Sequence, residues 1–84
     1  MSVAIIVLNY NDNENTKKYV NQIEDYKIVD KILVVDNKST NKEELKKLST
    51  LKSKKVEIIS SDKNGGYAYG NNYGIKYLDK VYRI

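Results

Sequence analysis

The feature that most constrains the fold is a pair of unbroken apolar runs, at positions 3–8 and 32–35, rich in β-branched residues. A strand with one face in water alternates apolar and polar residues, whereas a continuous apolar run is typical of a strand buried on both faces. Such strands belong to parallel sheets that are covered by helices. The two runs, with a shorter one at 56–60, therefore predict three parallel strands at 3–8, 31–36 and 56–60.

The segments that follow these strands have the pattern of helices. Thr16, Val20 and Ile23 fall on one stripe of a helix that is predicted to begin near Glu14. A second helix is predicted to begin near Thr40, because residues 40–43 have the spacing of a capping box. Leu45, Leu48 and Leu51 would form its apolar seam.

A third helix is predicted at 67–78, and residues 81–84 have the pattern of the opening of a fourth strand. The alternation of strand and helix with short connections indicates parallel strands joined by right-handed crossovers. The predicted fold class is α/β, a three-layer Rossmann-like parallel sheet cut off near the start of its fourth strand.

The composition excludes several kinds of chemistry. The 84 residues include no Cys and no His, which rules out disulfides, thiolate metal sites and a thiol nucleophile, and removes the commonest general base. Net charge is +4, from 15 Lys and Arg against 11 Asp and Glu, but Arg83 is the only arginine. Since bidentate readers of bases and phosphates are usually Arg, a Lys-rich solvated surface is favoured over a nucleic-acid interface.

The sequence predicts a cytoplasmic protein. No apolar run approaches the ~18 residues that a membrane span needs, and no basic segment precedes the first apolar run as it would in a signal peptide. Peripheral association of a full-length enzyme with the inner face of the membrane is left open.

Polar clusters follow each of the three predicted strands. Because carboxyl ends of parallel strands meet at one edge of the sheet, where ligands bind in open α/β folds, the clusters favour a binding site. The alternative is loop chemistry, since turns and caps use the same residue types. Asp36 is the most specific candidate for ligand binding, because a carboxylate there can accept hydrogen bonds from a base N–H or from ribose hydroxyls. The alternative is that Asp36 caps the next helix. The clusters are Asn9, Tyr10 and Asn11; Asp36, Asn37, Ser39 and Thr40; and Asn64, Gly65 and Gly66.

Glycine also recurs every four residues in the last predicted helix, at Gly66, Gly70 and Gly74. A helical glycine costs roughly 1 kcal/mol relative to Ala, so the repetition needs a compensating reason. The spacing places all three on one face, where either the sheet or a ligand can approach the backbone closely.

Other motifs carry less weight. There is neither a G-x-x-x-x-G-K-S/T phosphate loop nor a G-x-G-x-x-G after the first strand. Ser39 beside Lys38 is a poor nucleophile–base pair, because adjacent residues leaving a strand point in different directions. Asp12-Asn13-Glu14 has an acid-x-acid form, but acids at a helix start favour the helix dipole, so it is interpreted as a cap.

Taken together, residues 7–11, 34–40 and 64–75 resemble the amino-terminal part of family 2 glycosyltransferases, most closely bacterial rhamnosyltransferase-like members. The resemblance implies the nucleotide-binding half of the GT-A fold. It also implies roles for individual segments. Residues after the first strand would line the site of the base, and Asp36 would form a hydrogen bond with a uracil or thymine ring. The glycine-rich start of the last helix would border the nucleotide pocket. The clusters and the resemblance together give a set of expected nucleotide-binding residues, of which Leu8, Asn71 and Asn72 are implied by the resemblance alone. The set is Leu8, Tyr10, Asn11, Asp36, Asn37, Ser39, Asn64, Gly65, Gly66, Asn71 and Asn72.

The same resemblance implies that residues 1–84 are a single subdomain of a larger glycosyltransferase domain. The family's Asp-x-Asp metal motif and catalytic base are absent from this stretch, and Asn41 stands where the family usually has Asp. No catalytic or metal-binding residue is therefore expected here. The full-length enzyme is expected to use Mg²⁺ or Mn²⁺, and this chain alone is expected to be inactive in sugar transfer.

The implied partners are a UDP- or dTDP-sugar donor and, in the full enzyme, a glycan or polysaccharide acceptor. Two alternatives remain: a nucleotide-binding module without catalysis, or an interaction module. In the latter, the unpaired lateral edge of the first strand would bind another chain, which predicts a homodimer.

Overall fold

The computed structural model describes residues 3–38, 40, 54–63 and 65–82. Within them the chain forms three strands and two helices, and the strands make one parallel sheet in the order β1-β2-β3. The predicted α/β class with a parallel sheet is confirmed. The elements are β1 (Val3–Asn9), α1 (Asn13–Ile23), β2 (Val29–Asp36), β3 (Val56–Ser60) and α2 (Gly66–Tyr82).

The three strands end level with one another. Asn9 pairs with Asp36, and Asp36 pairs with Ser60, so the last residue of each strand lies in one row. The ladder extends one residue further: Asn37 N donates to the Asn9 carbonyl at 2.7 Å and Ser61 N to the Asp36 carbonyl at 2.9 Å. The side chains that follow the three strands are thus held at one carboxyl-terminal edge.

The central strand is buried on both faces, as its sequence predicts. Ile32, Leu33, Val34 and Val35 are all 0% exposed. Ile32 and Val34 pack on the face that also contains Val20 and Ile23 of α1, whereas Leu33 and Val35 pack with Leu78 of α2 on the other face. Full burial of each such side chain contributes about 1.5–3 kcal/mol. The helices therefore form the two outer layers, which confirms the three-layer prediction.

β1 is less enclosed than its apolar run predicts. Val7 and Asn9 are buried, but the rest of the strand is half-buried. β1 pairs only with β2 among the described residues, so it lies at a lateral edge of the described sheet. Hydrophobic patterning reports which faces are covered and carries little information about the position of a strand across the sheet.

Helix α1 follows the predicted stripe: Thr16, Val20 and Ile23 are buried. Asp12 occupies the N-cap position, where its carbonyl accepts from Thr16 N at 3.1 Å. Its carboxylate instead accepts from Asn15 Nδ2 at 3.0 Å and caps no backbone N–H. The acid-x-acid segment thus begins a helix as predicted, with a side-chain bond different from that of a standard cap.

Helix α2 extends beyond its predicted end. Val81 and Tyr82 are helical, so the predicted fourth strand is wrong for these two residues, while Arg83 and Ile84 lie outside the described residues. No Gly or Pro interrupts the segment after Leu78, and Lys80 in the last turn suits the negative end of the helix dipole. Continuation of the helix outweighs the local strand preference of Val81. No helix among the described residues is both long and apolar enough to cross a membrane.

The predicted second helix cannot be assessed. Its capping segment and apolar seam lie outside the described residues, apart from Thr40.

Gly70 and Gly74 allow α2 to approach the sheet closely. A Cβ on Gly70 would lie 2.9 Å from Leu8 Cδ2, and a Cβ on Gly74 would lie 3.0 Å from Val35 Cγ2 and 3.2 Å from Ile6 Cγ2. Real Cβ atoms do not tolerate such contacts unless the neighbour moves. Of the two explanations for the glycine repeat, close approach of the sheet therefore applies to Gly70 and Gly74.

Candidate functional site

An open cavity of about 280 Å³ lies at the carboxyl-terminal edge of the sheet, between the ends of β1 and β2 and the first turn of α2. It contains four of the side chains or glycines predicted from sequence, namely Leu8, Tyr10, Asn37 and Gly66. The full lining is Leu8, Asn9, Tyr10, Asp12, Asn37, Gly66 and Tyr67. This position is the one at which open α/β sheets bind ligands.

The chain turns sharply as it leaves β1. Asn11 has a φ of 52°, in the left-handed region that Asn adopts more readily than most residues. Asn11 Nδ2 donates to Thr40 Oγ1 at 3.0 Å, which links the segment after β1 to the segment after β2. Asn11 is exposed and supports this turn; it does not line the cavity.

Asn37 connects the three elements that meet at the cavity. Its Nδ2 donates to the Gly66 carbonyl at 3.2 Å, at the start of α2. Ser61 Oγ, directly after β3, lies 2.9 Å from Asn37 Oδ1 and 2.8 Å from the Lys63 carbonyl, so these two acceptors share its proton. Asn37 and Ser61 are 5% and 2% exposed, and the amide is therefore held in one orientation.

Asp36 points to the other face of the sheet. Its Oδ1 accepts from Asn9 Nδ2 at 3.0 Å, and the same nitrogen donates to Asn13 Oδ1 at 2.8 Å. Thr16 Oγ1 donates to Asn9 Oδ1 at 2.6 Å. We name these four buried residues, Asn9, Asn13, Thr16 and Asp36, the α1-side network.

The carboxylate of Asp36 belongs to that network and does not line the cavity. Asp36 and Asn37 are consecutive, and the structure places the Asp36 carboxylate in the α1-side network and the Asn37 amide against the start of α2. The role of Asp36 in base binding stays a prediction, and Asn37 is the β2 side chain that the structure places at the cavity. One donor of the network, Asn13 Nδ2, is buried without a hydrogen-bond partner among the described residues.

The two glycines at the start of α2, Gly65 and Gly66, have different surroundings. Gly66 lines the cavity with a φ of 84°, a conformation that favours glycine, and a Cβ there would meet no atom within 4 Å. Gly65 is exposed, but a Cβ there would lie 2.5 Å from Tyr69 Cγ. Gly65 therefore allows the ring to pack against the backbone, and Gly66 leaves the cavity mouth open.

Tyr69 braces the segment between β3 and α2. Its hydroxyl donates to the carboxylate of Asp62, and Lys63 Nζ lies 4.9 Å from the centre of its ring. The hydrogen bond to Asp62, with a smaller effect of desolvation, raises the pKa of Tyr69 to about 12. These contacts fix the chain that leads into the cavity-lining turn of α2.

The remaining predicted site residues divide into two groups. Asn71 and Asn72 are exposed on α2 and do not line the cavity. Ser39 and Asn64 lie outside the described residues. Sequence analysis missed Ser61 and Tyr67. The position of Ser61 directly after a strand was a usable indication, whereas an aromatic residue in a tyrosine-rich helix gave none.

The described residues do not fit a divalent metal site. They contain no cluster of three or more acidic, His or Cys side chains, and Asp12 is the only carboxylate in the cavity lining. Mg²⁺ is usually held by one or two carboxylates together with substrate phosphates and waters, so a metal ion at this cavity would need ligands besides Asp12.

A parallel α/β domain with helices on both faces of its sheet and a small cavity at the carboxyl-terminal edge has a Rossmann-like architecture. The chain belongs to the glycosyl transferase family 2, whose sequence model matches residues 4–82. Family membership supports glycosyltransferase function and implies, in general terms, a nucleotide-sugar donor and an acceptor. A search of curated proteins found no match. The likeness to rhamnosyltransferase-like members stays a prediction.

Proposed function

We propose that the chain binds the nucleotide of a UDP- or dTDP-sugar donor, for transfer of the sugar to a glycan or polysaccharide acceptor. The observation that carries this proposal is the cavity between Tyr10, Asn37 and the first turn of α2, in a chain that belongs to family 2. The finer assignment to pyrimidine nucleotides rests on the resemblance of residues 7–11, 34–40 and 64–75 to family 2 glycosyltransferases.

The size of the cavity favours the nucleoside end of the donor. Ligand pockets usually enclose about 300–1,000 Å³, and this one, at about 280 Å³, is at the lower limit. It has room for a base with part of a ribose and is too small for a whole nucleotide sugar. The diphosphate and the sugar would extend from the mouth of the cavity.

The charge of the lining also favours binding of the nucleoside end of the donor over its phosphates. Lys and Arg are absent from the lining formed by residues 8–10, 12, 37 and 66–67, and the single carboxylate there is Asp12. Such a surface does little to neutralise phosphates. The amide of Asn37 is bonded within the protein, to the Gly66 carbonyl and to Ser61 Oγ, so Asn37 would support nucleotide binding by holding the cavity in shape.

Isothermal titration calorimetry of the purified chain with UDP, dTDP, ADP and GDP tests this proposal. We expect the two pyrimidine diphosphates to bind about tenfold or more tightly than the purine ones, a difference of ~1.4 kcal/mol. Asn37→Ala should weaken UDP binding, whereas the matched control Asn71→Ala, exposed on α2, should not. Equal affinity for all four nucleotides, or equal effects of the two variants, would contradict the proposal.

We also propose that the 84-residue chain binds the donor without transferring sugar. A metal and a general base are the groups expected to neutralise the leaving diphosphate and to activate the acceptor. The described residues supply no such metal site. Release of UDP from a UDP-sugar by the chain alone, dependent on an acceptor, would refute this.

A second candidate function is association through the lateral edge of the sheet, which the position of β1 favours. β1 pairs on one side only among the described residues, and an unpaired strand edge can add a strand from another copy. Light scattering across a concentration series tests the homodimer that this predicts. A monomer at every concentration would exclude it and would leave nucleotide binding unaffected.

A further inference from the structure

Two tyrosines from different elements line the same cavity. Tyr10 follows β1, and Tyr67 is the second residue of α2. Tyr10 is 45% exposed and Tyr67 is 81% exposed, the highest exposure of any large hydrophobic side chain in the described part of the chain. An aromatic ring left in water beside a cavity is unusual, because such rings generally supply large buried areas.

Tyr67 has no structural role comparable to those of its neighbours on the helix. Tyr69 bonds Asp62, Tyr73 packs against the α2 side of the core, and Tyr77 bonds Glu57. Tyr67 is absent from both hydrophobic clusters. Its exposure shows that the ring contributes little to the folding of the described residues.

The surroundings of Tyr67 leave space for a planar ligand. The position where Gly66 would carry a Cβ is open, and Leu8 supplies an apolar surface in the same cavity. Stacking of a base on an aromatic ring contributes about 1–3 kcal/mol and needs no charged partner. A cavity with aromatic residues on its β1 side and its α2 side can enclose a base from both sides.

We propose that Tyr67 is a binding residue that stacks on the nucleobase and closes the cavity opposite Tyr10. This proposal rests on the proposed function and adds to it a residue on α2 that contributes to nucleotide affinity. Tyr67 would lose most of its exposure when the nucleotide binds, and affinity would depend on an aromatic ring at this position.

The test measures UDP affinity by calorimetry for the wild type and for Tyr67→Phe, Tyr67→Leu and Tyr67→Ala. Phe keeps the aromatic face, Leu keeps apolar bulk without it, and Ala removes both. We expect Phe to bind as the wild type does, and Leu and Ala to bind about tenfold more weakly. Tyr26→Ala is the matched control: this tyrosine is 57% exposed but precedes β2, at the opposite edge of the sheet.

The outcomes separate this proposal from the one on which it rests. If the wild type binds neither UDP nor dTDP, the proposed function fails and the stacking role fails with it. If the wild type binds and Tyr67→Leu binds as tightly as Tyr67→Phe, only the stacking role is overturned. Thermal unfolding of each variant shows whether an affinity loss has a structural origin; an unchanged Tm is expected, and a lowered Tm that tracks the loss would also overturn the role.

Discussion

The two faces of the sheet differ at its carboxyl-terminal edge. On one face, the α1-side network is closed: Asn9 bonds Asn13, Thr16 and Asp36, and all four side chains are buried. On the other face, Asn37 and Ser61 support a cavity that is open to solvent. One strand end thus supplies a structural carboxylate to one face and a cavity-lining amide to the other. Polar residues that are adjacent in sequence can therefore have separate roles.

The largest effect is expected from breaking the α1-side network. Asp36→Ala would leave Asn9 Nδ2 with one acceptor fewer in a buried site, and a buried neutral donor left without a partner costs about 1–3 kcal/mol. We expect a corresponding fall in the free energy of unfolding, measured by urea denaturation with circular dichroism.

Asp36→Asn separates a structural role of Asp36 from a role in base binding, because it keeps the shape of the side chain. The geometry predicts that folded Asp36→Asn binds UDP as the wild type does, since the carboxylate does not line the cavity. The sequence-based prediction that Asp36 bonds the base requires a large loss of affinity instead. Calorimetry on the folded variant distinguishes the two expectations.

This difference also shows what sequence can and cannot predict for this chain. The buried strand β2 is recoverable because a continuous β-branched run is typical of a strand covered on both faces. The half-buried strand β3 also has the predicted bounds. Whether Asp36 or Asn37 faces the cavity depends on which helix covers which face, and local sequence does not encode that. Tyr67 was missed for a related reason: its exposure depends on how far the start of α2 extends past the sheet.

The next largest effect is expected where α2 packs on the sheet. Gly74→Ala would place a methyl group 3.0 Å from Val35 Cγ2, and Val35, which is 0% exposed, would have to shift within a packed core. Overpacking costs about 1–3 kcal/mol, which exceeds the ~1 kcal/mol gained from the helix preference of Ala. We expect a net loss of about 1 kcal/mol in unfolding free energy, with UDP affinity retained.

Gly66→Ala is the matched substitution at the cavity. A methyl group there meets no atom, but a φ of 84° costs a non-glycine residue about 1–2 kcal/mol. We expect a similar loss of stability together with weaker UDP binding, because relief of the strain moves the turn that lines the cavity. Equal UDP affinity in both variants would show that the cavity mouth does not depend on this turn.

A smaller effect is expected from Ser61→Ala, which removes the hydroxyl that orients Asn37. A net hydrogen bond contributes about 0.5–1.5 kcal/mol, so unfolding free energy should fall by about 1 kcal/mol. UDP affinity should fall as well, because the Asn37 amide is no longer held in place. Ser60→Ala, one residue earlier and exposed, is the control and should change neither quantity.

The smallest effect concerns Tyr69 and alkaline pH. The pKa of Tyr69 is raised to about 12 from its ordinary value of 10.0, so above pH 10 the unfolded chain loses this proton before the folded chain does. The contribution of the Tyr69–Asp62 bond to stability is therefore fully present below pH 10 and is lost as pH rises towards 12. Tyr69→Phe should flatten the pH dependence of unfolding over that interval, whereas Tyr26→Phe should leave it as in the wild type. Since the bond lies on the surface, the difference should be small.

An identical pH profile for wild type and Tyr69→Phe would show that the Asp62 bond does not brace the segment leading into α2. The cavity-lining turn would then depend on Asn37 and Gly66 for its position.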